Sequence, residues 1–212
     1  MASKSKRNKV KFKWTKELGF LIGAIALIGA VTLTLALVRQ FSGRDIKRVN
    51  EAIEQFNASE SQTVYTIDTE KNVFKMTNHS SLVSQKNSSD YTYVWYGTYT
   101  SADFLRYLYT INETAESYKV DTVYLYIADY VQSAIDNNTK DTEEYKTTLK
   151  AMEDELNQGR TDAVAIDLEN YAALFVFKDG KLVYNSQVAS ESSEYNWEIQ
   201  FAKAFSYAQL GE

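Results

Sequence analysis

The sequence contains no cysteine. That single absence excludes disulfides, thiolate metal sites and every form of thiol catalysis. Proline is missing as well, so turns must be made with Gly, Asn, Asp and Ser, as at Asp179-Gly180 and Asn137-Asn138. Histidine occurs once, as His79 in a polar stretch. A solitary histidine makes neither a conventional zinc site nor a catalytic triad, and it is read here as solvated. Basic charge is scarce beyond the N-terminus. Of the 23 Lys and Arg, eight lie at or before Arg39, which leaves 15 against 27 of the 28 acidic residues. Such a surface repels nucleic acid and anionic lipid, so no nucleic-acid partner is expected.

What is present begins with Lys4, Lys6, Arg7, Lys9, Lys11, Lys13 and Lys16, followed by Leu18 to Val38 without a charge. A run of about 21 apolar residues crosses roughly 30 Å of hydrocarbon, longer than the roughly 7–15 apolar residues of a cleaved signal peptide. The run is read as one uncleaved transmembrane helix, flanked by Trp14 and Phe41. The basic cluster fixes the N-terminus in the cytoplasm and sends the acidic remainder across the membrane. The expected organisation is a basic cytoplasmic tail over 1–17, a transmembrane helix over 18–38, an amphipathic juxtamembrane helix and linker over 39–62, and an extracytoplasmic domain over 63–212. Ile46, Val49, Ile53 and Phe56 form the stripe of the juxtamembrane helix.

Within the domain, Thr63–Asp68 and Asn72–Met76 are β-rich runs that suggest a hairpin across Thr69-Glu70-Lys71, and Thr77–Asp90 reads as a polar loop. Tyr91–Tyr96 is a continuous aromatic and β-branched run, fit for a strand buried on both faces, and Gly97 ends it. Ser101 is a good N-cap, Asp103 places a carboxylate in the first turn, and Phe104, Leu108, Ile111, Ala115 and Tyr118 repeat at helical spacing. The next strand, Thr122–Ala128, follows too directly for a hairpin, which predicts a right-handed parallel βαβ unit. Asp129–Asn138 predicts a short helix. Asp141 and Glu144 stand at capping-box spacing before the stripe Tyr145, Leu149, Met152 and Leu156. Tyr171–Phe177, the Asp179-Gly180 turn and Lys181–Val188 predict a hairpin, and Glu191–Leu210 a docking C-terminal helix.

This order of elements resembles the thioredoxin fold over roughly Thr63 to Leu210. Val94-Trp95-Tyr96-Gly97-Thr98-Tyr99-Thr100-Ser101-Ala102-Asp103-Phe104 is similar to the strand, glycine and CxxC turn of small thioredoxin-like proteins of Gram-positive bacteria, bacteriocin-transport accessory proteins among them. Leu174-Phe175-Val176-Phe177-Lys178-Asp179-Gly180-Lys181 resembles their penultimate hairpin. The fold class expected is therefore α/β, a thioredoxin-like mixed sheet flanked by helices and preceded by one transmembrane helix. The resemblance aligns Ser101 with the nucleophilic cysteine, Phe104 with the resolving one and Ala172 with the cis-proline. Ser101, Ala102, Asp103 and Phe104 thus form a turn without its thiols. A cis bond before a non-proline residue costs about 2.5–4 kcal/mol, so a trans peptide is expected at Ala172.

Each of these positions has a plain reading beside its functional one. Ser101 serves as an N-cap unless a nearby base activates it as a nucleophile. Phe104 starts the apolar stripe and belongs in a core, unless it and Tyr99 form an exposed docking knob; Tyr99, Ser101, Phe104 and Tyr171 are the interaction candidates. Asp136, Asn137, Asn138, Asp141, Glu143 and Glu144 concentrate oxygen atoms, but without EF-hand spacing, and are read as a solvated loop. The tyrosine-rich row from Tyr91 to Tyr130 is read mostly as core and in part as a groove for sugar or peptide. Asn57-Ala58-Ser59 and Asn112-Glu113-Thr114 are glycosylation triplets only in a eukaryotic secretory setting. No cofactor and no metal is expected. The function expected is a redox-inactive, membrane-anchored binding or scaffold subunit of an envelope, export or secretion assembly, with the membrane and protein partners as its contacts. The alternatives are a ligand sensor whose segment Thr77–Asp90 orders on binding, and a hydrolase using Ser101.

Overall fold

The computed structural model describes residues 46–59, 63–189 and 196–211. The chain divides into two units, 1–41 and 42–212. The basic tail, the predicted span Leu18–Val38 and residues 39–45 lie outside the described residues, and so do 60–62 and 190–195. Among the described residues no helix is long and apolar enough to cross a membrane.

A five-stranded mixed sheet organises the described unit. Its order is β1 (Phe74–Thr77), β3 (Val123–Ile127), β2 (Thr92–Gly97), β4 (Ala173–Lys178) and β5 (Lys181–Asn185). β3 runs parallel to both β1 and β2, whereas β4 runs antiparallel to β2 and β5. Central β2 is buried along its whole length, as its unbroken aromatic and β-branched run requires. Alternate residues of β2 feed two cores. Tyr93 and Trp95 join Leu174, Val176 and the helices α1 (46–59), α3 (Ala102–Arg106), α4 (Leu108–Ser117) and α7 (Trp197–Phe205) on one face. Val94 and Tyr96 join Phe175, Phe177 and the helices α2 (His79–Gln85), α5 (Asp129–Asp136) and α6 (Glu143–Asn157) on the other. Helix α1 buries Ile46, Val49 and Ile53 in the first core, each worth about 1.5–3 kcal/mol.

The Asp179-Gly180 turn forms as its sequence predicts, with φ of 51° and 78°, the paired positive values of a type I′ hairpin. The turn rests on the segment after α2, since Gly180 N–H donates to Lys86 O at 2.9 Å and Asp179 N–H to Ser88 O at 3.1 Å. A Cβ at Gly180 would stand 2.8 Å from Asn87 Oδ1.

Several elements depart from expectation. Residues 63–68 form no strand. Val64 and Ile67 are buried, but their backbones pair with side chains: Asn57 and Asn50 each donate to the carbonyl and accept from the N–H at 2.7–2.8 Å. An asparagine side chain carries the same donor and acceptor as a peptide, and here two of them replace a neighbouring strand. The polar stretch 77–90 contains helix α2, because Asn78 caps it through Ser81 N–H at 2.9 Å and Leu82 anchors it in the second core. The helix after Ser101 breaks at Tyr107 (φ −95°, ψ −2°), whose ring packs on Trp197 and Phe201. The cap of α6 is Thr142, accepting from Tyr145 N–H, in place of Asp141. β5 stops at Asn185 and turns into the 3-10 segment Ser186–Ala189, as Ser186 Oγ accepts from Leu174 N–H at 2.7 Å and ends the ladder.

The Tyr171–Ala172 peptide is cis, against the trans bond expected at Ala172. On the two sides of this bond the Tyr171 ring sits edge-on to Tyr96, and Ala172 lies against the first core.

Candidate functional site

The turn after β2 is built inward. Gly97 O accepts from Ala128 N–H at 2.7 Å, which ties the ends of β2 and β3 together. Thr98 is buried, and its hydroxyl lies 2.8 Å from that of Thr100, which donates to Gln132 Oε1 at 2.9 Å. Phe104 is fully buried and stacks on Trp95 at 5.9 Å with the rings 8° from parallel. Trp95 Nε1 donates to Phe104 O at 3.1 Å. A Cβ on residue 97 would stand only 2.5 Å from Phe104 Cδ2, so glycine is needed there to admit the ring. Of the two placements considered for Phe104, the structure shows the core. Tyr99 is half-buried and lies edge-on to Phe104 at 6.4 Å.

Ser101 Oγ accepts from Phe104 N–H at 3.3 Å and acts as the N-cap. Asp103 pairs with Arg106 at 3.4 Å. The one histidine is engaged elsewhere, so Ser101 has no imidazole to act as base. Tyr171, half-buried, and Ala172 stand just ahead of β4, which the antiparallel register brings beside the end of β2. Ser101, Phe104 and Ala172 are thus gathered at one end of the sheet, and what they supply there is packing and a helix cap.

His79 is not solvated in a loop. It begins α2, its Nε2 lies 2.9 Å from Glu155 Oε2 and its Nδ1 3.2 Å from the Tyr126 hydroxyl. Lys86, buried to 3% exposure, donates to the carbonyl of the same Glu155, and burial pushes its ammonium below the usual lysine range. Burial likewise raises the Asp129 carboxyl and the Tyr126 phenol, the latter also facing the Asp129 charge. This cluster straps α2 and α6 over β3. Asn78 as a cap followed by a Leu82-centred turn was the available signal for it.

The acidic stretch 136–144 does not converge, and among the described residues no group of three or more His, Asp or Glu is placed to hold a metal ion. Asn57 and Asn112 of the two glycosylation triplets spend their side chains on Val64 and on Val73 N–H. Of the tyrosine row, Tyr93, Tyr96 and Tyr126 are core, while Tyr109 is exposed and tilts against Tyr65 at 5.2 Å.

At the opposite end of β2 lies a cavity of about 670 Å³ that the sequence reading missed. It opens between the starts of β2 and β3, the end of α4 and the 3-10 turn Ser206–Gly211, and is lined by Tyr91, Tyr93, Lys119, Tyr124, Lys178 and Ala208 among others. Tyr93 is 3% exposed, and its buried hydroxyl has no hydrogen-bond partner among the described residues. Burial raises that phenol well above its ordinary range, with the neighbouring Tyr91 adding to the shift, so it stays protonated.

No protein-family model matches the chain, and no curated protein matches it in sequence.

Proposed function

We propose that this chain is a redox-inactive thioredoxin-like module, held outside the cytoplasm by an N-terminal membrane helix, and that it serves as a binding or scaffold subunit of an envelope, export or secretion assembly. The observation that carries this reading is the turn after β2. At the position where the resemblance expects a dithiol, the chain holds a capping serine and a phenylalanine sunk into the core. Parallel β2–helix–β3, then helix, antiparallel hairpin and helix, is the order on which the resemblance rests, and it supports the fold assignment. A hydrolase reading is less well supported, because the Ser101 hydroxyl accepts from a backbone N–H as a helix cap and the one imidazole of the sequence lies against Glu155 and Tyr126. The anchor rests on the sequence alone.

The test is purification of the full chain from membranes in mild detergent, with native gel electrophoresis and mass spectrometry of what travels with it. The expected result is recovery from the membrane fraction in a complex with an envelope protein in fixed stoichiometry. A chain recovered from the soluble fraction, or one that migrates alone under every mild extraction, overturns the reading.

A further inference from the structure

Among the described residues Tyr65, Tyr109, Ile135 and Ile199 are large, apolar and exposed, and two of them touch: the rings of Tyr65 and Tyr109 lie 5.2 Å apart, tilted by 47°. Single exposed apolar residues are ordinary on a protein surface, whereas two large rings in contact make a patch. The asparagine clamps set one half of it. They bury Val64 and Ile67 and leave Tyr65 and Thr66 exposed between them. Tyr109 comes from α4, and Glu113 follows one turn later on the same face of that helix. A groove of about 230 Å³ adjoins Tyr109, with Asp68, Glu113 and Glu116 set against the single ammonium of Lys71. Lys71 lies 4.0 Å from Glu116. Asp68 accepts from the N–H groups of Glu70 and Lys71, which hold its carboxyl below the usual range and so keep it charged. Glu113 is exposed and has no hydrogen bond or ion pair among the described residues.

We propose that this face docks an arginine-bearing basic segment of a partner protein. A cation over a tyrosine face is attracted by the charge distribution of the ring, and the Glu113 carboxylate, one turn from Tyr109, supplies the opposite charge. Arginine meets both demands at once. Its guanidinium is planar, stacks on aromatic faces and pairs with a carboxylate through two N–H groups, whereas the lysine ammonium is a compact, strongly hydrated point charge. The groove is smaller than the roughly 300–1,000 Å³ of small-molecule sites, and rings that are 67% and 41% exposed form a wall and not a cage. A cation carried on a larger chain, which covers the rings, therefore fits better than a free one. The acidic excess beyond Arg39 favours encounter with a basic partner at longer range. This inference rests on the reading of the chain as a binding subunit, and it moves the contact from the turn at Ser101 to the exposed face of α4.

The test uses the full chain in an uncharged detergent at about 0.15 M salt, where long-range attraction is largely screened. A fluorescent nonapeptide of alternating arginine and serine is titrated and followed by anisotropy, beside the same peptide with lysine for arginine and a peptide of this chain's own residues 4–16. The variants are Tyr65→Ala combined with Tyr109→Ala, Glu113→Gln, and Glu143→Gln as a control that removes an equal, exposed charge from α6. All of these side chains are exposed, so the melting temperature is expected to stay near that of the wild type. The expected result is binding of the arginine peptide, with a Kd about 10-fold weaker without the two rings, about 3-fold weaker in Glu113→Gln and unchanged in Glu143→Gln. No binding, equal binding by wild type and ring variant, or an equal loss in Glu143→Gln overturns the proposal. Equal affinity for the lysine peptide overturns the arginine assignment. Tighter binding of the 4–16 peptide, or displacement of the arginine peptide by tetramethylammonium at equal concentration, overturns the partner class in favour of a second copy of this chain or of a small cation. A failed peptide assay beside a complex still recovered from membranes overturns this face alone, whereas a chain recovered alone overturns the subunit reading.

Discussion

The two ends of β2 are built to opposite plans. At its C-terminal end Gly97, Trp95 and Phe104 close on one another until no space is left for a methyl group, and the hydroxyls of Thr98, Thr100 and Ser101 are spent on each other, on Gln132 and on the backbone. At its N-terminal end Tyr91 and Tyr93 line an open cavity, and the Tyr93 hydroxyl, closed off from it, has no hydrogen-bond partner among the described residues. The same strand, equally buried throughout, thus ends once in a plug and once in a vacancy. Burial alone does not mark a functional position. The useful contrast is between polar groups that are satisfied and one that is not.

Four measurements bear on how these elements are held. The largest effect is expected for Phe104→Ala, which empties the plug: loss of about 3–5 kcal/mol, read as a lower denaturation midpoint of the purified chain. A loss below about 1 kcal/mol would mean that the ring is not seated against Trp95. Next comes Gly97→Ala, expected to cost about 1–3 kcal/mol by overpacking against Phe104. In the Phe104→Ala background that cost should shrink, because the ring atoms at 2.5 and 2.8 Å are gone and only the Cβ of residue 104, at 2.9 Å, remains, and a double-mutant cycle measures the coupling. An additive result would remove the close approach from the account.

Ser101→Ala should cost about 1 kcal/mol through the lost cap on Phe104 N–H, read as a lower denaturation midpoint, and an unchanged midpoint would remove the cap from the account. The smallest effect concerns Glu169, just ahead of β4. The hydrogen-bonded Lys140 ammonium at 2.9 Å, and then the Tyr145 hydroxyl at 2.9 Å, hold its carboxyl below the usual range. With the folded pKa below the unfolded value near 4.3, its stabilisation is present above about pH 5 and is lost as the pH falls through the folded value. The difference in melting temperature between wild type and Glu169→Gln should therefore be small at neutral pH, since both partners are partly exposed, and should close in acid. A gap that widens in acid would contradict the sign.

Much of the fold was legible because its signals are local and strong. β2 and β3 are unbroken aromatic and β-branched runs, α6 carries a stripe over four turns, and Asp179-Gly180 dictates its hairpin. What misled was equally physical. Residues 63–68 carry a strand composition, but their ladder is made by Asn50 and Asn57, whose pairing lies outside any periodicity. Helix α2 has one fully buried apolar residue, Leu82, too little for a stripe. The plug could be read from Phe104 opening a helical stripe after Gly97. The cavity could not, since its walls come from segments near positions 85, 91, 120, 178 and 208 that meet only in three dimensions.

The asparagine clamps carry one further consequence, for the protein's chemical lifetime. Asn50 and Asn57 each present an amide N–H to a carbonyl and an amide oxygen to an N–H, across 17 and 7 residues of chain. Asparagine is among the thermolabile residues that heat-adapted proteins use sparingly. Hydrolysis of either side-chain amide would turn its donating nitrogen into a carboxylate oxygen facing the carbonyl of Ile67 or Val64, so that an attraction becomes a repulsion. Loss of either amide would therefore loosen the join between α1 and residues 63–68.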